Sequence, residues 1–154
     1  MQENGLLEPE AARKLGIRCF NDAWIFMDKQ GRSQEDELDM LHAAHASYWF
    51  WRSYPGHTQE NLSIGLWQIA RAYALAGDGA MAARYGERCV ELSRDPGVEP
   101  FYLAYGYEAA ARGYSLLNDG DKVRQLIALA ERALESSRVT DTDGLKADLE
   151  ELAR

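Results

Sequence analysis

Cysteine is scarce in this chain: Cys19 and Cys89 are the only two in 154 residues, and they lie far apart with no CxxC step. That scarcity argues against a disulfide framework and against a thiolate zinc site, and both thiols are expected to be buried. Val, Ile and Thr together number only 12, which leaves little material for strands. Bases are outnumbered, with 17 Lys and Arg against 25 Asp and Glu and a formal net charge of −8. A nucleic-acid partner is therefore not expected, because phosphate neutralisation needs a basic patch. No apolar run approaches the roughly 18 residues that would span a bilayer. The start, Met1-Gln-Glu-Asn, has no basic stretch of the signal-peptide kind. No membrane association is expected, and a cytoplasmic location is.

What is present is alanine, 22 copies of it, and clear helix punctuation. The length suits one domain over residues 1–154 with a real core. Glu8-Pro9 opens a helix over about 9–29, and Gly31 follows its end. Ser33-Gln-Glu-Asp36 resembles a capping box for a second helix over about 34–53, halted by Pro55-Gly56. Thr58 caps a third helix to Ala76, and the Gly77-Asp78 turn starts a fourth that ends before Asp95-Pro96-Gly97. Pro100 opens a fifth to Leu117, and Asn118-Asp-Gly-Asp121 turns the chain into a sixth ending near Ser137. Thr140-x-x-Asp143 is expected to cap a last helix over about 141–153, with Leu145, Leu149 and Leu152 on one face. The fold class expected is all-α, an array of about seven helices.

The helix pairs repeat. Leu66, Ile69, Ala70 and Tyr73 correspond to Tyr107, Ala110, Ala111 and Tyr114, and Ala82, Gly86 and Cys89 to Val123, Ile127 and Ala130, each displaced by 41 residues. Units recurring at a fixed step bury their faces by stacking. Leu66-x-x-Ile69-Ala70-x-x-Tyr73, then Gly77-Asp78 and Ala82-x-x-x-Gly86-x-x-Cys89, resemble the tetratricopeptide repeat (TPR) pattern. The clearest units cover about 58–94 and 99–137. Gly86 departs from the family's aromatic, Cys89 from its alanine, and the step exceeds the usual 34 or so. The stretch from His42 through Asn61 to Gly65-Leu66-Trp67-Gln68-x-x-Arg71-x-Tyr73 is also similar to a functionally uncharacterised family of small bacterial TPR-like proteins. The resemblance implies a right-handed array of antiparallel helix pairs. It also implies an adaptor or peptide-binding role for the concave face made by the first helix of each pair.

Two groups of residues are candidates for a partner surface. Tyr48-Trp49-Phe50-Trp51-Arg52-Ser53-Tyr54 points rings all round its helix, so some aromatic surface should stay exposed. Tyr48, Trp49, Trp51 and Arg52, with Trp67 of the next helix, form the first group, since Trp, Tyr and Arg are the types enriched in binding hot spots. Asn61, Gln68 and Arg71, with Tyr105, Glu108 and Arg112, form the second, polar groups suited to gripping an extended peptide. Arg71 and Arg112 occupy the same repeat position and should face the same side. Residues 41–94 carry 4 acids and 5 bases between two acidic ends, so a modestly acidic peptide or a second copy of the chain suits the centre.

An alternative rests on Asp39, His42 and His45. Asp39-x-x-His42 has the carboxylate-x-x-His spacing of helical-bundle metal sites, with His57 available from a loop, but a second copy of the motif is lacking. Gly77-Asp-Gly79-Ala-Met-Ala82 fits a dinucleotide fingerprint formally, yet a helix rather than a strand precedes it. No cofactor is expected and no catalytic constellation is found. The expected function is a non-enzymatic protein- or peptide-binding module, able to self-associate, with metal binding as the alternative.

Overall fold

The computed structural model describes residues 7–154. Among them are seven helices and no strand: α1 (Pro9–Asp28), α2 (Gln34–Ser53), α3 (Gln59–Leu75), α4 (Gly79–Ser93), α5 (Pro100–Leu116), α6 (Gly120–Glu135) and α7 (Asp143–Ala153). No helix of these is long and apolar enough to cross a membrane.

Local chemistry sets the helix ends. Pro9 begins α1, where its missing N–H leaves no helical bond unmade. At α2 the capping box closes: Asp36 N–H donates to Ser33 Oγ at 3.1 Å, and Ser33 N–H donates to Asp36 Oδ2 at 2.9 Å. Lys29 Nζ donates to the same carboxylate at 2.7 Å, and this bond, with those from Ser33, lowers the Asp36 pKa to about 2. Thr58 and Asn61 make the equivalent reciprocal pair at α3. Asp78 and Asp119 cap α4 and α6 alike, accepting from the backbone N–H three residues on. For α7 the cap differs from expectation. Thr142, not Thr140, is the N-cap residue, and its side chain makes no capping hydrogen bond; Glu99 ties the preceding linker to the start of α5 by accepting from Ser137 Oγ and Arg138 N–H.

The repeat is written in the turns as well. Gly77 has φ 81° and Asn118, one repeat later, has φ 59°. In each, the next residue's N–H reaches back five residues, Asp78 to Tyr73 O at 2.9 Å and Asp119 to Tyr114 O at 3.0 Å. This is the Schellman closure, which needs a left-handed residue.

Each helix packs on the next in the chain, and the backbones of α1, α3, α5 and α7 also approach in series, whereas those of α2, α4 and α6 stay apart, α2 and α4 meeting only through side chains such as His45 and Tyr85. The odd-numbered helices therefore line one face and the even-numbered ones stand behind. The α4–α5 contact is the tightest, because glycines let the backbones meet. A Cβ on Gly113 would lie 2.2 Å from Ala83 N, and one on Gly86 would lie 2.4 Å from Ala110 N. The helix pairs share two apolar centres. Ala23, Met27, Met40, Ala44, Ile69 and Ala72 join α1 to α3. Val90, Ala104, Leu126, Ile127, Leu145 and Leu149 are among those joining α4 to α7.

Candidate functional site

The serial contact of α1, α3, α5 and α7 leaves a partly open cavity of about 410 Å³ on their shared face. Three turns of sequence build its wall. Trp24 comes from α1, Ile64, Trp67 and Arg71 from α3 at helical spacings of three and four, and Phe101 and Tyr105 from α5. The rings interlock: Trp24 and Trp67 centroids lie 5.9 Å apart, Trp67 and Tyr105 5.5 Å apart, and Phe101 and Tyr105 5.1 Å apart, the last two pairs edge to face. Such geometry is favourable for ring quadrupoles and leaves little rotational freedom.

Behind this wall lies a buried charge network. Trp67 Nε1 donates to Glu108 Oε2 at 3.1 Å, and Arg112 Nε donates to Glu108 Oε1. Glu108 is fully buried, and burial pushes its carboxyl pKa up against the opposing pull of Arg112, the Trp67 N–H and Arg71. Arg112 Nη2 lies 3.0 Å from Asp148 Oδ1 of α7. That is an ion-pair distance, but the N–H does not aim at the oxygen, and Nη2 is left without a hydrogen bond. Arg71 is half-buried and forms no ion pair among the described residues. Desolvation and then the neighbouring Arg112 lower its pKa, while Glu108, Asp148 and Glu151 partly offset them.

The residues singled out from the sequence divide into three sets. Trp67, Arg71 and Tyr105 meet at the cavity. Trp67 does not join the aromatic end of α2, however; its ring neighbours are Trp24 and Tyr105. Asn61, Gln68, Glu108 and Arg112 are engaged inside the molecule. Asn61 Oδ1 accepts from Thr58 N–H in the α3 cap. Gln68 has no exposed surface and donates to Phe20 O at 3.0 Å. Glu108 and Arg112 pair with each other beneath the wall. These four were expected to grip a peptide; the packing of α1 and α7 onto the shared face covers Gln68, Glu108 and Arg112.

At the end of α2, the expectation of exposed aromatic surface holds for Trp49, which is 63% exposed, and Arg52 beside it is exposed too. Trp51 is partly buried, its indole filling the space that a side chain on Gly16 would occupy, 2.8 Å from such a Cβ. Tyr48 packs against Gly65 in the same manner. Glycines on α1 and α3 thus receive two of the rings.

The structure separates the histidines. His42 Nδ1 stands 3.8 Å from Asp39 Oδ1, both side chains exposed. His45 turns the other way and meets the Tyr73 hydroxyl at 2.9 Å, with Tyr85 edge-on at 5.4 Å. Burial, then nearby His42, lowers its pKa. His57 Nδ1 contacts Tyr54 O at 2.7 Å. No three metal-ligating side chains converge among the described residues. Cys89 is buried as expected, with its thiol pushed up to about 11 by desolvation, whereas Cys19 is only partly buried.

Trp24, Phe101 and Asp148 were missed by sequence reasoning. Phe101 carried a signal, four residues before Tyr105 and so on the same helical face. Trp24 and Asp148 carried none, because each belongs to a helix outside the two clear repeats. The chain was compared with protein-family models, with curated proteins and with solved structures, and no match was found in any of the three.

Proposed function

We propose that this chain is a non-enzymatic binding module that receives an apolar side chain of a partner protein or peptide in the α1–α3–α5 cavity. One observation carries the reading: an aromatic-walled cavity of about 410 Å³ opens on the face shared by the first helices of successive pairs. A concave, mostly apolar site with few polar groups is what recognition of an anchor side chain requires. The TPR resemblance of residues 66–89 points to the same face. Trp67 and Tyr105 are the wall residues on which the anchor packs, and Arg71 is the polar group at its edge.

The test is selection of a random displayed-peptide library on the whole chain. Enriched peptides are expected to share an aromatic or branched apolar anchor. Their affinity is expected to fall about tenfold or more for Trp67→Ala, in keeping with a buried hot-spot ring, and to stay unchanged for Trp49→Ala on the far side of α2. Failure to enrich a motif, or equal affinity for wild type and Trp67→Ala, overturns the reading. Self-association is a second reading, favoured by Trp49 at 63% and Ile25 at 67% exposure; an equilibrium sedimentation change in Trp49→Ala is its measure.

A further inference from the structure

We propose that the same cavity binds a small aromatic carboxylate, with its ring packed on the wall that Trp24, Trp67 and Tyr105 form and its carboxylate on the Arg71 guanidinium. The inference rests on the cavity just described but on no peptide partner.

Size is the first argument. A volume of about 410 Å³ lies within the range of roughly 300–1,000 Å³ typical of small-molecule sites, and a single ring with a short acidic arm fits it. The wall is the second. Trp67 spends its N–H on Glu108, so it offers a ligand its ring and not a donor, and Trp24 and Tyr105 extend the aromatic wall on either side, their centroids 5.9 and 5.5 Å from it. These surfaces suit a flat apolar body.

Charge is the third argument and selects the acid. Three charged side chains line the cavity: Asp28, Arg71 and Asp148. Asp148 is already 3.0 Å from Arg112, and Asp28 is exposed at the end of α1. Arg71 alone is half-buried without an ion pair among the described residues. The planar fork of a partly desolvated guanidinium matches a carboxylate, and the neighbouring Arg112 adds positive charge against the nearby Glu108, Asp148 and Glu151. The second repeat supplies an internal precedent. Arg112, at the position equivalent to Arg71, receives the carboxylate of Asp148 from α7. The acid on the next odd-numbered helix beside Arg71 is Glu108, which Trp67 and Arg112 hold. A ligand carboxylate supplies at Arg71 what α7 supplies at Arg112.

The experiment titrates the whole chain with hydrocinnamate, its neutral amide and the matching phenylpropylamine, by calorimetry and by NMR of the indole N–H signals. Hydrocinnamate is expected to saturate one site per chain, shift the Trp24 and Trp67 signals, and bind about tenfold tighter than the amide, as a charge-assisted hydrogen bond requires. Arg71→Met is expected to abolish the preference for acid over amide while keeping the amide affinity; Arg71→Lys is expected to keep part of it. Equal affinity for acid and amide on the wild-type chain overturns the proposal, as does tightest binding of the amine, shifts confined to other residues, or no saturation by about 10 mM. If displayed peptides still depend on Trp67 when hydrocinnamate fails, only this inference falls. If hydrocinnamate binds as expected and no peptide motif emerges, only the peptide reading falls.

Discussion

At the scale of the residue, Glu108 shows how the same side chain changes meaning when it is buried. On helix α5 its spacing from Arg112 gives an i, i+4 pair, which on an exposed helix is worth only a few tenths of a kcal/mol. Here the carboxylate has no exposed surface and accepts from both Trp67 and Arg112. Removing one partner of a buried pair strands the other charge, at a typical cost of about 3–5 kcal/mol. Glu108→Ala is therefore expected to lower the unfolding free energy by about that amount in urea denaturation. Glu108→Gln, which keeps an acceptor for the Trp67 N–H, is expected to lose clearly less. Equal losses would mean that the negative charge opposite Arg112, not the shape or the acceptor, is what the position supplies. Arg71 differs from Arg112 only in what surrounds it, and that difference makes one arginine structural and the other available.

At the scale of the element, the α4–α5 contact depends on what is missing from it. Gly86 and Gly113 allow backbone to approach backbone, and their counterparts Ala83, Ala109 and Ala110 are scarcely larger. Alanine in a helix interior ordinarily gains about 0.5–1 kcal/mol over glycine. At Gly113 the added methyl would stand 2.2 Å from Ala83 N and 2.6 Å from Ala83 Cα, neither of which can move without separating the helices. Gly113→Ala is expected to lower stability by about 2 kcal/mol or more despite its better propensity. Gly144→Ala in α7, where the nearest atom lies at 4.0 Å, is expected to be neutral or slightly stabilising. Thermal unfolding of the two variants side by side checks the contrast. The same contact accounts for a glycine at position 86, since no larger side chain fits between these backbones.

At the scale of the whole molecule, α7 is more than a cap. Leu145 and Leu149 are buried against the α5–α6 pair, Asp148 pairs with Arg112, and the same Asp148 lines the cavity. Deleting residues 143–154 is expected to lower the melting temperature, raise binding of a hydrophobic dye and weaken ligand binding at the cavity together, because one helix serves all three. An unchanged melting temperature with unchanged dye binding would show that the stack closes at α6. The open end of a repeat array exposes its apolar face unless something covers it, and α7 covers α5 and α6 here.

Much of this architecture was legible in the sequence because it is local. The caps at Ser33, Thr58, Asp78 and Asp119 and the left-handed turns at Gly77 and Asn118 follow from side-chain chemistry within a few residues. The repeat step equated Arg71 with Arg112, since periodicity assigns a stripe on each helix. It could not tell which members of the stripe stay free. Glu108 meets Trp67 and Asp148 meets Arg112 through contacts between residues 36 or more positions apart, and those depend on how whole helices are rotated and seated. Trp24 reached the cavity for the same reason. Local hydrogen bonding and helical period determined the elements and their order; the docking of whole helices, decided by small residues where backbones meet and by buried charge pairing, determined where a cavity remained and which arginine faces it.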